Sequence, residues 1–159
     1  MIRTFATAGA SRPRWIASSV MAAVLVTAGA SRAAAQAPTT RVFGSDAAMV
    51  LNFIKADKTA DFEAVVAKLK EALQKSDKPE RKQQAASWKV FKSPDPAANN
   101  NVLYVFFIDP PVKGADYTVT TILNEAFPQE VQALYKQYVD AYATGQNFVN
   151  LALTADFGK

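Results

Sequence analysis

The chain has 159 residues, with 18 Lys and Arg against 14 Asp and Glu, and neither His nor Cys. That composition excludes Ser-His-Asp and Cys-His nucleophile systems, His/Cys zinc sites and disulfides. The surplus of positive charge sits in the first 35 residues, as Arg3, Arg12, Arg14 and Arg32. Residues 36–159 carry 14 charges of each sign, so no basic footprint for nucleic acid or anionic lipid is expected there.

The N-terminus opens with that basic head, followed by an apolar, small-residue run from Trp15 to Ala30. Ala33 and Ala35 then supply the small-x-small pattern of a signal peptidase site. This order reads as a secretory signal peptide over residues 1–35, cleaved after Ala35. The apolar run is shorter than the roughly 20 residues of a spanning helix, so a retained anchor is rejected. The expected protein is exported, periplasmic or secreted, and free of the membrane once the signal is removed. Residues 36–46 read as a polar leader and irregular arm in which Val42 and Phe43 can pack. Residues 47–159 read as a single α+β domain, long enough to hold a core without covalent staples.

Ala48 to Lys55 is expected to form the first strand, apolar on both faces except for Asn52. Thr59 suits a helix N-cap, and Phe62, Val65, Val66, Leu69 and Leu73 recur at helical spacing behind it. Ser76 to Pro79 is read as the stop. Lys82 to Lys92 alternates as a second strand containing Trp88, and Ser93 to Asn101 is expected to be a mobile turn-forming loop. Val102 to Asp109 is the strongest strand pattern, ended by Pro110 and Pro111. Asp116 suits the cap of a short helix containing Val119, Ile122 and Leu123. A longer helix follows Pro128, with Val131, Leu134, Tyr135, Tyr138 and Tyr142 on one face. Gln146 to Thr154 alternates as a fourth strand.

The order strand, helix, strand, strand, helix, strand predicts a ferredoxin-like, split βαβ fold (βαββαβ). Its four-stranded antiparallel sheet would carry both helices on one face. The other face, expected to hold Tyr104, Phe106 and Phe148, would be too apolar to stay wet, which predicts a homodimer.

The segments "MVLNFIKADKTADFEAVVAKL", "NVLYVFFIDP", and "FPQEVQALYKQYVDAY" leading into "NFVNLALTADF" resemble the dimeric α+β barrel superfamily, in particular antibiotic-biosynthesis-monooxygenase-like domains. The likeness is one of pattern and covers nearly all of residues 36–159. It implies a dimeric barrel but no particular reaction, since the superfamily includes cofactor-free oxygenases, haem-degrading enzymes and proteins without known activity. Some of its enzymes use a first-strand Asn with a Trp, which Asn52 and Trp88 match in kind. Haem-degrading members add a His that this chain lacks.

Asn52, Trp88, Tyr104, Phe106 and Asn150 are the candidate ligand-binding residues. For Asn52 and Asn150, mutual pairing across neighbouring strands competes with ligand contact. Trp88 reads as packing or as a pocket wall, and Asp109 as a turn residue before it reads as an acid or base. No dense acidic cluster or glycine-rich phosphate loop is present, so neither a metal site nor a cofactor is expected. Three functions stand open. One is a cofactor-free binder of a small apolar or aromatic molecule in a dimer cavity, another a cofactor-independent monooxygenase-like enzyme. The third is a structural or protein-interaction module without a ligand.

Overall fold

The computed structural model describes residues 40–158; the signal peptide expected over residues 1–35, its expected cleavage after Ala35 and residues 36–39 lie outside the described residues. In chain order the elements are β1 (Ala47–Ile54), α1 (Thr59–Lys75), α2 (Pro79–Ser87), β2 (Trp88–Pro96), β3 (Val102–Ile108), α3 (Val119–Ala126), α4 (Val131–Ala141) and β4 (Asn147–Leu151). They build an α+β fold whose single sheet has the order β2-β3-β1-β4, with every neighbouring pair antiparallel.

The two central strands follow from their composition. β1 and β3 are almost wholly apolar, and they pair over seven residues from Ala48–Ile108 to Ile54–Val102. Alternation then divides each strand between two faces. Ala48, Val50, Asn52 and Ile54 of β1, with Tyr104, Phe106 and Ile108 of β3, point under the helices and are buried. α1 lays Phe62, Val65, Leu69 and Leu73 onto them. Phe62 stands at the centre of an aromatic cluster, 4.8 Å from Tyr104, 6.0 Å from Phe106 and 6.0 Å from Tyr138 between ring centroids. α3 contributes Ile122 and Leu123, and α4 contributes Leu134 and Tyr138. The arm folds back as well, burying Phe43 edge-on against Tyr117 at 5.3 Å.

Several expectations are corrected by the structure. Tyr104, Phe106 and Phe148 lie on the helix-covered face, because Val50 pairs with both Phe106 and Phe148, and Asn52 with Tyr104. The bare face is apolar all the same, but through Met49, Leu51, Phe53, Leu103, Val105, Phe107, Val149 and Leu151, none of which joins the core. The second strand begins only at Trp88, since residues 79–87 are helical. Pro79 does not merely stop α1. It occupies the first turn of α2, where its fixed φ and missing N–H cost nothing. Finally, β2 runs on to Pro96 through an irregularity after Lys92, and the 97–101 tip is tied by Ala97 N–H donating to the Asn101 carbonyl at 2.8 Å. Asn99 and Asn100 take the left-handed conformations there, each with φ of 58°.

Thr59 is likewise the first residue of α1 and not its cap; a short turn over Ala56–Lys58 leads into the helix. Asp116 acts just ahead of α3, accepting hydrogen bonds from the Thr118 amide at 2.9 Å and the Arg41 amide at 3.0 Å. α2 is fastened through Arg81, which is only 3% exposed. Its guanidinium donates twice to Glu125 of α3, at 3.1 and 3.0 Å, and once to the Asp116 carbonyl at 2.6 Å. Gln84, one turn on, accepts from Arg81 at 2.7 Å and donates to the same carbonyl at 3.0 Å.

Candidate functional site

Asn52 is fully buried in the middle of β1, and all of its hydrogen-bonding capacity is engaged. Its Nδ2 donates to the carbonyls of Val50 at 3.0 Å and Tyr104 at 3.2 Å. Its Oδ1 accepts from the Tyr142 hydroxyl and from Gln146 Nε2, both at 2.8 Å. Gln146 Nε2 also lies 3.0 Å from the Tyr138 hydroxyl and 2.9 Å from that of Tyr142. The partner of Asn52 is therefore Gln146 and not Asn150. The register sets Leu51 opposite Asn147, so Gln146 comes level with Asn52, while Asn150 sits opposite Ala48 and is exposed. Four residues of strand, about 13 Å, separate the two candidates.

Tyr138, Tyr142 and Gln146 form one end of a cavity of about 370 Å³ between the sheet and the helical layer. Trp88, Phe106 and Phe148 supply part of its aromatic lining. Trp88 meets Phe106 at 5.5 Å and Tyr117 at 5.3 Å, and its indole N–H has no hydrogen-bond partner. On the other side of Trp88 lies a groove of about 430 Å³ with Val66, Leu69 and Leu73 of α1 along it. We place the site in the first space, because there the phenols, the Gln146 amide and a guanidinium converge on apolar walls.

Of the sequence-derived candidates, Trp88 and Phe106 line the cavity directly, and Asn52 touches it only through Tyr142 and Gln146. Tyr104 is turned away toward α1, where its hydroxyl donates to Glu63, a carboxylate that also accepts from Lys92 at 2.9 Å. Asn150 lies outside the lining. Asp109 is an exposed bend residue whose amide donates to the Ser87 carbonyl at 3.1 Å, well away from the polar cluster. Arg41, Tyr117, Tyr138, Tyr142 and Gln146 escaped sequence reasoning as site residues. The tyrosine stripe of α4 was visible as a pattern, but nothing local says that it ends on a buried amide.

The phenols at the end of the cavity are neutral. Burial pushes the Tyr138 phenol up to about 12. Burial, reinforced by its neighbour Tyr138, drives Tyr142 still higher. Both remain protonated at any physiological pH. Among the described residues no carboxylate or lysine lines the space, and Arg41 is the one charged side chain there. The lining thus holds hydrogen-bonding groups but no acid or base poised near neutrality. Among the described residues no helix is long and apolar enough to cross a membrane, and no group of three or more acidic side chains is placed to hold a metal ion.

Comparison with known proteins found no matching family model, no curated protein and no solved structure of significant similarity. The class of the protein therefore rests on its own architecture: an α+β domain with one antiparallel sheet and a cavity between sheet and helices.

Proposed function

We propose that this domain binds a small, mostly apolar aromatic molecule in the cavity between its helices and its sheet, outside the cytoplasm and without a cofactor. The supporting observation is the lining itself, with Trp88, Phe106 and Phe148 as walls and a neutral end of Tyr138, Tyr142 and Gln146. A dry cavity of about 150 Å³ accommodates benzene, so one of about 370 Å³ suits a substituted or fused ring. In this reading the protomer is ferredoxin-like, and two copies meet through their bare sheet faces as a dimeric α+β barrel.

The monooxygenase-like alternative requires Asn52 to offer its N–H donors to a substrate oxyanion. Both already go to backbone carbonyls, and no general base lines the cavity, so binding is the better reading. A ligand-free interaction module would leave an aromatic-walled space of this size without a use. Native mass spectrometry of the full chain recovered from an exporting host tests the proposal. The expected spectrum shows a dimer carrying a small-molecule mass that is lost on denaturation, or one that takes up added naphthalene. A bare chain that takes up no added aromatic probe, charged or uncharged, rules out the binding reading.

A further inference from the structure

We infer that the cavity selects an aromatic carboxylate, with the Arg41 guanidinium as the group that holds the anion; this rests on the ligand-binding reading above. Among the described residues Arg41 is the one charged residue of the lining, and it has no counter-ion among them. None of the ion pairs among the described residues includes it, and no hydrogen bond is made by its side chain. The chain before it contains no Asp or Glu that could serve. The contrast with Arg81, whose donors are taken up by Glu125, Gln84 and a carbonyl, is plain.

Arg41 is also held in place, although its side chain is exposed. Its amide donates to Asp116 Oδ1 at 3.0 Å and to Thr118 Oγ1 at 3.1 Å, and its carbonyl accepts from the Tyr117 amide at 2.7 Å. These bonds dock the arm on the 116–118 segment, from which Tyr117 and Thr118 also line the cavity. The guanidinium rests over the Phe148 ring, its central carbon 4.0 Å from the centroid. A guanidinium stacked on a ring keeps its in-plane donors for a planar, bidentate acceptor such as a carboxylate.

Nearby negative charge does not cancel it. Burial alone would raise the Asp116 carboxyl, but hydrogen bonds from Thr118 and the Arg41 amide outweigh that and keep it ionised. Its Oδ1 accepts from all of those donors, and Asp116 is not part of the lining. The field of Arg41 reaches into the cavity, where it works against the burial that raises the Tyr138 phenol. An aromatic acid would set its ring against Phe148 and Trp88 and its carboxylate on the open donors of Arg41.

Isothermal titration of the full chain with naphthoate and with its uncharged isostere naphthamide tests this. The expected result is naphthoate binding about tenfold tighter than naphthamide, the gain of one charge-assisted contact, and narrowing as salt is added. Arg41→Gln is expected to abolish the preference by weakening naphthoate about tenfold, with a much smaller change in naphthamide binding. Arg41→Lys is expected to keep part of the preference. Equal binding of acid and amide by the parent protein overturns the selectivity while leaving the cavity as an aromatic site. An equal loss of both in Arg41→Gln also overturns it. Failure of both probes to bind removes the underlying reading together with the inference.

Discussion

Asn52 illustrates how a residue can be conspicuous in the sequence while its partners stay hidden. A lone amide in an apolar strand must find partners, since an unsatisfied buried polar group costs about 1–3 kcal/mol. Its own neighbours say nothing about which groups those are. Gln146 and Tyr142 lie some ninety positions away and become partners only when β4 pairs with β1 in the observed register. Because the amide joins β1, β3 and the start of β4, it is a structural tie first. Asn52→Ala is expected to destabilise the fold by about 2–3 kcal/mol, as Tyr142 and Gln146 lose a shared acceptor. Urea unfolding measures this, and a loss below about 0.5 kcal/mol would show that the cluster contributes little. Trp88 reads from the sequence as packing or as a pocket wall, whereas the position of Arg41 over Phe148 depends on a folded-back arm that no periodicity announces.

At the scale of elements, the central strands and three of the helices were legible because their hydrophobic spacing matches their periods. α2 was not. Its run Pro-Glu-Arg-Lys-Gln-Gln-Ala-Ala has good helix formers after a favourable first-turn proline, but no apolar stripe. It buries Arg81 and Gln84 instead, so its inner face looks polar in the sequence. The tie to α3 should show in the pH dependence of stability. Hydrogen bonds from Arg81, then from Lys78, hold the Glu125 carboxyl below its ordinary value of 4.5 against the opposing effect of burial. A depressed folded pKa means that this stabilisation is complete above the ordinary value and is lost as pH falls through the folded one. Glu125→Gln is therefore expected to cost about 1–2 kcal/mol at neutral pH and to flatten the acid limb of the unfolding profile. Denaturant titrations from about pH 6 down to about pH 3 provide the check. An unchanged acid limb would mean that other carboxylates set it.

For the molecule as a whole, the decisive feature is the sheet face that the helices leave uncovered. Met49, Leu51 and Phe53 of β1 alternate with the core-facing set, and Leu103, Val105 and Phe107 of β3 stand opposite them. Phe91 of β2, 53% exposed, extends the same face to the edge. Contiguous apolar patches rimmed by polar residues mark association sites when they exceed those usual on monomers. A self-complementary contact places two copies of each residue in one interface, so a single charge there counts twice. Val105→Lys is expected to weaken dimerisation at least about a hundredfold, roughly 2.7 kcal/mol, while the circular dichroism spectrum stays unchanged. Light scattering coupled to size exclusion reads the result, and a parent protein that is monomeric at micromolar concentration would defeat the dimer proposal.

Sequence alone determined the α+β class, the identity of the main strands and helices, and the absence of His and Cys chemistry, because composition and short-range periodicity are local properties. Only the tertiary structure decided which face of the sheet each aromatic occupies, which partner satisfies Asn52, and that an arm brings an unpaired guanidinium to the cavity. Those outcomes depend on strand register and chain reversal, where a shift of one residue exchanges the two faces of a strand.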